Sequence, residues 1–144
     1  MFKVDFEVRD NELDAQGVVN NANYFIYMAH ARHKYLHDIG IDFSEMTANK
    51  QNLFLVSANI EYKRPLRANE KFYVTCKLVP FNPGGKVRFA FDQEVRKIDT
   101  DELMAKGLNV GVCVDGNNRN RAYVPEKIKA LFPLAPLPIQ DEPE

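Results

Sequence analysis

The stretch "ELDAQGVVNNANYFIYMAHARHKYL", residues 12–36, decides how the chain reads. It opens as a loop with Asp14 three residues before Gly17, then runs through the Asn20-Asn21 pair into an aromatic-rich segment. Asparagine is among the best helix N-caps and glycine lets a loop turn tightly, so the pair and the glycine mark a helix entry. The first turn of a helix carries backbone N–H groups without intrahelical partners and a partial positive charge. A carboxylate placed there has two readings. One is a turn residue that satisfies nearby amides. The other is half of a site in which the acid acts on a substrate while a helix-start N–H receives a developing oxyanion.

From this entry a helix is expected over residues 21–39, stopped by Gly40. Helical spacing puts Tyr24, Phe25, Met28, Ala31, Tyr35, Leu36 and Ile39 on one face, with Arg32 among them. An unpaired buried charge is costly, so Arg32 is expected to pair with a buried carboxylate. His30, His33 and His37 form another stripe, nearly opposite the apolar face. Three ligands from one helix, with no acid or cysteine evident beside them, would hold a metal poorly. The stripe reads as a solvated or subunit-contact face, and no metal is expected.

Strand patterns lie on both sides of the helix. "FKVDFEVR" alternates at period two and reads as a first strand, and "NLFLVSANIEYKRP" as a later one ending at Pro65. "EKFYVTCKLV" carries Phe72, Val74, Cys76 and Leu78 on one face. "GKVRFAFDQEVRKI" sets Val87, Phe89, Phe91 and Val95 against Arg88, Asp92, Glu94 and Arg96, and "ELMAKGLNVGVCVD" aligns Met104, Leu108, Val110, Val112 and Val114. Turn signals at residues 67–69, 82–85 and 99–101 separate these runs and suggest an antiparallel meander. The pattern is α+β: a long helix and a sheet of about five strands able to curl around it. "VPEKIKALF" reads as a short terminal helix.

A chain of 144 residues suits one domain, expected over residues 1–132, with a loose proline-rich acidic tail at 133–144. The 45% hydrophobic and 27% charged content is that of an ordinary globular protein, and a net charge of −1 gives no general attraction to nucleic acid or anionic membrane. Apolar runs are too short to span a bilayer, and no charged-then-apolar leader precedes the first strand. Cys76 and Cys113 fall inside strand runs and read as buried free thiols, which fits a reducing cytoplasm.

The element order, together with "DAQGVVNNANY", "EYKRPLRANEKFYV" and "RAYVPEKI", resembles the hotdog-fold thioesterases, particularly the 4-hydroxybenzoyl-CoA thioesterase-like branch. Seven residues after the aspartate, where that branch carries Tyr or His, this chain has Asn21. "NNANY" also looks like the Asn-Asn-x-x-Tyr signature of acyl-carrier-protein thioesterases, which carry a histidine where this chain has Val18. The resemblance implies a hotdog fold, with a long central helix wrapped by a curved antiparallel sheet. It implies hydrolysis of an acyl-CoA thioester, or of an acyl-ACP thioester, without a cofactor. Asp14 would be nucleophile or general base, and the Asn21 backbone N–H the oxyanion donor. Gly17 and Asn20 would shape the substrate loop, and Tyr24 would line the acyl path, although core is its default role.

Lys63, Arg64, Arg67, Lys86 and Arg88 fall near strand ends, where basic groups could meet CoA phosphates or form an ordinary solvated rim; Arg64 and Arg88 are the nominated contacts. Hotdog chains close their open sheet edge by pairing across a two-fold axis, which implies a homodimer or a homotetramer built on it. In such a dimer Asp14 would face residues 55–59 of the other chain, Ser57 among them. Two rivals remain. A hotdog hydratase needs a loop histidine, and none occurs before His30. A hotdog shell that only binds acyl-CoA would carry the same elements without turnover.

Overall fold

Asn20 opens the long helix as the sequence indicates. Its side-chain Oδ1 accepts the Ala22 N–H at 2.9 Å, and helix α1 runs Asn21–Asp38. Gly40 ends it with φ 85°. The Ile41 N–H reaches back to the Leu36 carbonyl at 2.9 Å and the Gly40 N–H to that of His37 at 3.1 Å, the paired bonds of a left-handed helix stop.

The computed structural model describes residues 1–81, 88–117 and 121–130, without the side chains of Arg121, Ala122 and Lys127. The turn signal at 82–85, Lys86, Val87 and the tail from 133 lie outside the described residues. Strand β1 is Lys3–Glu7; a 3₁₀ turn at Asp10–Glu12 and α1 follow, then α2 (Phe43–Ala48) and β2 (Gln51–Tyr62). The chain continues through β3 (Lys71–Thr75), β4 (Lys77–Pro80), β5 (Arg88–Lys97), β6 (Leu103–Asp115), β7 (Arg121–Ala122) and α3 (Glu126–Lys129). The main sheet path has the order β1-β3-β5-β6-β2, with β4 added on β5 and β7 on β6. Pairs β1/β3, β3/β5 and β6/β7 are antiparallel.

The order corrects the simple meander, because β2 neighbours β6 and not β3. The chain between β2 and β3 is committed elsewhere. Lys63 and Arg64 both donate their N–H to the Met104 carbonyl, at 2.8 and 3.1 Å, and Arg67 forms a bridge with Val18. The expected single strand through residues 70–79 breaks at Cys76, and Phe72 through Cys76 are buried in succession, so both of its faces are covered.

Contacts gather into two compact units: Met1–Tyr35, Asn59–Lys77 and Asp92–Gly107 form the first, and Leu36–Ala58, Leu78–Phe91 and Leu108–Glu144 the second. In the first, Tyr24, Tyr27, Met28 and Ala31 pack on Phe72, Val74, Val95, Met104 and Ala105. Phe6 stacks on Phe72 at 5.1 Å between ring centroids, and Tyr27 meets the same ring at 4.8 Å. Tyr27 thus takes the buried place assigned from the helical wheel to Phe25, which is 44% exposed. In the second unit Val79, Phe81, Ala90 and Val110 form a buried cluster, with Leu108 against them. Both cysteines are free and buried.

Arg32 is half-buried, and its Nη1 donates to Gln93 Oε1 at 3.1 Å. Gln93 is fully buried and passes the connection on, donating Nε2 to the Met28 carbonyl at 3.0 Å and to that of Thr75 at 3.4 Å. A neutral amide serves both donor and acceptor without burying a second charge, and burial lowers the guanidinium pKa. Gln93→Leu keeps the volume and removes these bonds. It should cost about 2–3 kcal/mol in urea unfolding; an unchanged midpoint would show that the network contributes nothing.

Candidate functional site

The loop between β1 and α1 is held from both ends. Leu13 bridges Val19, and the pair beyond it is closed by the Asp14 N–H donating to the Val18 carbonyl at 2.8 Å. On the outer side Val18 bridges Arg67, and the Val19 N–H donates to the Leu66 carbonyl at 2.8 Å. The turn proper returns at Gly17, with φ 81° and its N–H on the Asp14 carbonyl at 3.0 Å. A Cβ on Gly17 would meet nothing within 4 Å, so the demand for glycine is set by backbone conformation and not by space.

Asp14 stands exposed on this turn. Its Oδ1 accepts the Gln16 N–H at 2.8 Å and the Val18 N–H at 3.4 Å. The turn reading of Asp14 is therefore correct for one oxygen. Oδ2 takes no hydrogen bond from the described residues and faces water. A carboxylate fixed by one oxygen and open at the other is oriented and still able to attack a carbonyl or draw a proton from water.

The helix start divides its donors as sharply. The Ala22 N–H goes to Asn20 Oδ1 and the Asn23 N–H to the Asn20 carbonyl, both at 2.9 Å. The exposed Asn21 N–H has no acceptor among the described residues, while the Asn21 carbonyl accepts the Tyr62 hydroxyl at 3.2 Å. One unfilled donor at the positive end of a long helix can receive an oxyanion.

Asp14, Gly17, Asn20 and Asn21 thus share one loop–helix junction. Tyr24 belongs to the core of the same unit: its ring is buried and its hydroxyl oxygen accepts the Leu66 N–H at 3.3 Å. Arg64 is exposed but paired with Glu102 at 2.7 Å. Ser57 and Arg88 belong to the second unit, Ser57 half-buried in β2. Arg88 is buried at the start of β5, which corrects its place on a solvated rim.

Sequence reasoning missed Glu12 and Asn23. The Glu12 carbonyl accepts both the Asn20 N–H at 2.9 Å and Asn23 Nδ2 at 3.0 Å, and its carboxylate accepts the Arg9 N–H at 2.8 Å and the Tyr27 hydroxyl at 2.9 Å. Burial together with this carboxylate pushes the Tyr27 hydroxyl pKa well up, so it remains a donor. A visible signal existed: Asn23 is a polar residue in the first helical turn, two positions before the Phe25-Ile26 pair.

Burial pushes the Cys76 thiol up to about 12, with Arg32 opposing, and also raises that of Cys113. Among the described residues no group of three or more His, Cys, Asp or Glu side chains could hold a metal.

The family model described as the thioesterase-like superfamily matches residues 8–132. The Arabidopsis thaliana protein named acyl-acyl carrier protein thioesterase ATL3, chloroplastic, is 32% identical over 130 residues, covering 90% of this chain and 66% of its own length. The chain thus spans slightly under two thirds of that relative. Long-chain acyl-CoA thioesterase FadM of Escherichia coli is 27% identical over 113 residues, covering 78% of this chain and 83% of its own. The crystal structure of Slr0204, a 1,4-dihydroxy-2-naphthoyl-CoA thioesterase from Synechocystis, superposes with a TM-score of 0.80 at 20% identity, covering 91% of this chain and 94% of its own. A likeness at that identity carries the fold, and the fold is the hotdog.

The Glu12 carbonyl with its two donors is expected to hold the Asp14 turn. Asn23→Ala should cost about 1 kcal/mol and speed amide exchange across residues 14–20, read by hydrogen–deuterium exchange. Unchanged exchange there would remove Asn23 from the loop's support.

Proposed function

The chain belongs to the thioesterase-like superfamily, and from that premise we propose that it hydrolyses acyl thioesters to free acid and thiol, acyl-CoA being the leading substrate. The observation that carries the reading is the pairing of an open Asp14 Oδ2 with an unfilled Asn21 N–H in one loop–helix junction. A thioester carbonyl needs an attacking group and a place for charge on its oxygen. Asp14 attacks directly, giving a mixed anhydride that water cleaves, or draws a proton from an attacking water. The Asn21 N–H holds the tetrahedral oxyanion in both routes.

A carrier-protein thioester is the second substrate reading. The Asn20-Asn21-x-x-Tyr24 run and the 32%-identical Arabidopsis relative favour it. Both carriers present the same phosphopantetheine thioester, so the attack is common to them. The rival, a shell that binds without turnover, predicts no thiol release from any acyl-CoA.

Asp14→Asn should lower the rate by orders of magnitude, since it removes the attacking or proton-accepting group. The variant should keep its melting temperature within a few degrees, because Asp14 lies on an exposed turn. A free-thiol assay across a panel of acyl-CoAs reads this, and full activity in Asp14→Asn would end the mechanism. Single-turnover reaction in ¹⁸O-water separates the routes: label in the Asp14 carboxylate marks nucleophilic attack.

We also propose a homodimer joined through the edge strand β2, whose Phe54, Leu55 and Val56 are each at least 44% exposed. An apolar edge strand invites pairing with another copy. The partner would then supply residues 55–59, with Ser57, to the acyl cleft. Light scattering at micromolar concentration decides the point, and a stable, fully active monomer would sink it.

A further inference from the structure

The basic side chains of the loop region are unequally committed. Lys63 Nζ is paired with Glu61 at 2.9 Å and Arg64 Nε with Glu102 at 2.7 Å. Arg67 is exposed and forms no ion pair among the described residues. Glu70, the acid closest to it in sequence, is used up. Its Oε1 accepts the Arg67 backbone N–H at 2.6 Å, and its Oε2 binds Lys97 Nζ at 2.7 Å. The backbone of Arg67 is fixed by the Glu70 carboxylate and the Val18 bridge, while its guanidinium has no acidic partner among the described residues.

Register places Arg67 two segments across from Asp14. Asp14 is opposite Val18 in the turn, and Val18 is opposite Arg67. Directly opposed residues of antiparallel segments project to the same side, so Asp14, Val18 and Arg67 form one row across three segments. Asp14 and Arg67 are two inter-strand spacings apart, roughly 10 Å between Cα atoms. A guanidinium offers paired donors that fit phosphate oxygens, and this one keeps its full charge for an incoming anion.

We propose that Arg67 receives a phosphate of the thioester's carrier arm and thereby anchors the substrate whose carbonyl is delivered to Asp14. The proposal rests on the thioesterase reading above. The shared chemistry is a phosphate ester: the pantetheine phosphate present in both CoA and a carrier protein, or the nucleotide phosphates of CoA alone. Arg67 replaces Arg64 and Arg88, the sequence's nominees, because one is neutralised by Glu102 and the other is buried in β5.

The test compares wild type with Arg67→Gln on three thioesters of one acyl group: acyl-CoA, acyl-4′-phosphopantetheine and the phosphate-free N-acetylcysteamine thioester. The expected result is a KM about five-fold higher for the phosphate-bearing substrates, the size of an exposed charge contact, with kcat held. The N-acetylcysteamine thioester should be unaffected. A rise on acyl-phosphopantetheine as well as acyl-CoA assigns the pantetheine phosphate, and a rise on acyl-CoA alone assigns the nucleotide phosphates. Equal losses on all three substrates would mean that Arg67 acts on the Asp14 loop itself, and no loss on any would mean that it touches nothing; either overturns the proposal. Calorimetric titration with free CoA reads the contact without turnover. If wild type cleaves none of the three, the thioesterase reading fails, and CoA binding alone decides: weaker binding by Arg67→Gln supports the contact, and equal affinity overturns it.

Discussion

A buried tyrosine brings a hydroxyl into the core, and that hydroxyl must find a partner. Two of those the first unit buries, Tyr24 and Tyr27, stand one helical turn apart, and the partners they take shape the loop. Tyr27 donates to the Glu12 carboxylate on the segment entering the Asp14 turn. Tyr24 accepts from the Leu66 N–H, and the Leu66 carbonyl in turn receives the Val19 N–H on the segment leaving it. Both flanks of the turn are thereby tied to rings that cannot move without opening the core. An exposed loop gains a defined geometry from the helix it precedes.

What the turn leaves unsatisfied follows from the same allocation. Most polar groups at the junction find a partner: Asn20 takes two N–H groups, Glu12 takes four donors, and Asp14 Oδ1 takes two. Among the described residues Asp14 Oδ2 and the Asn21 N–H are left open at this junction, one an acceptor and the other a donor. Acyl transfer needs that complementarity. The local hydrogen bonding that makes Asp14 look like an ordinary turn residue also orients it.

Features whose causes are local were legible in the sequence. Asn20 and Gly40 bound the helix to within a residue of its observed end, because capping and left-handed stopping depend on adjacent atoms. The turn carboxylate and the free thiols were legible for the same reason. Partners far apart in sequence were not: Arg32 meets Gln93 across 61 positions, and a lone arginine on an apolar face signals only that some partner exists. Period-two patterning presumes one covered face, so it missed a β3 buried on both sides and the burial of Arg88. Helix α2 was missed because it buries only Met46, although Asp42, which accepts the Ser44 and Glu45 N–H groups, stands three residues before Glu45 as a start signal.

Core and loop are separated in the first unit by the kind of bond each uses. The bonds donated by the Gln93 amide are buried and the Tyr27 bond is part-buried, so losing one leaves a polar group with little water to replace its partner. The bonds at Asp14 are exposed, and water can replace them at little cost. Selection can therefore vary Asp14 and its neighbours without threatening the fold, while the tyrosines and Gln93 are constrained by packing. The link between the two sets is Glu12: its carboxylate belongs to the core through Tyr27, and its carbonyl to the loop through Asn20 and Asn23. A change at Glu12 must disturb both, and so this residue, rather than Asp14, sets how far the loop can be altered without loss of the fold.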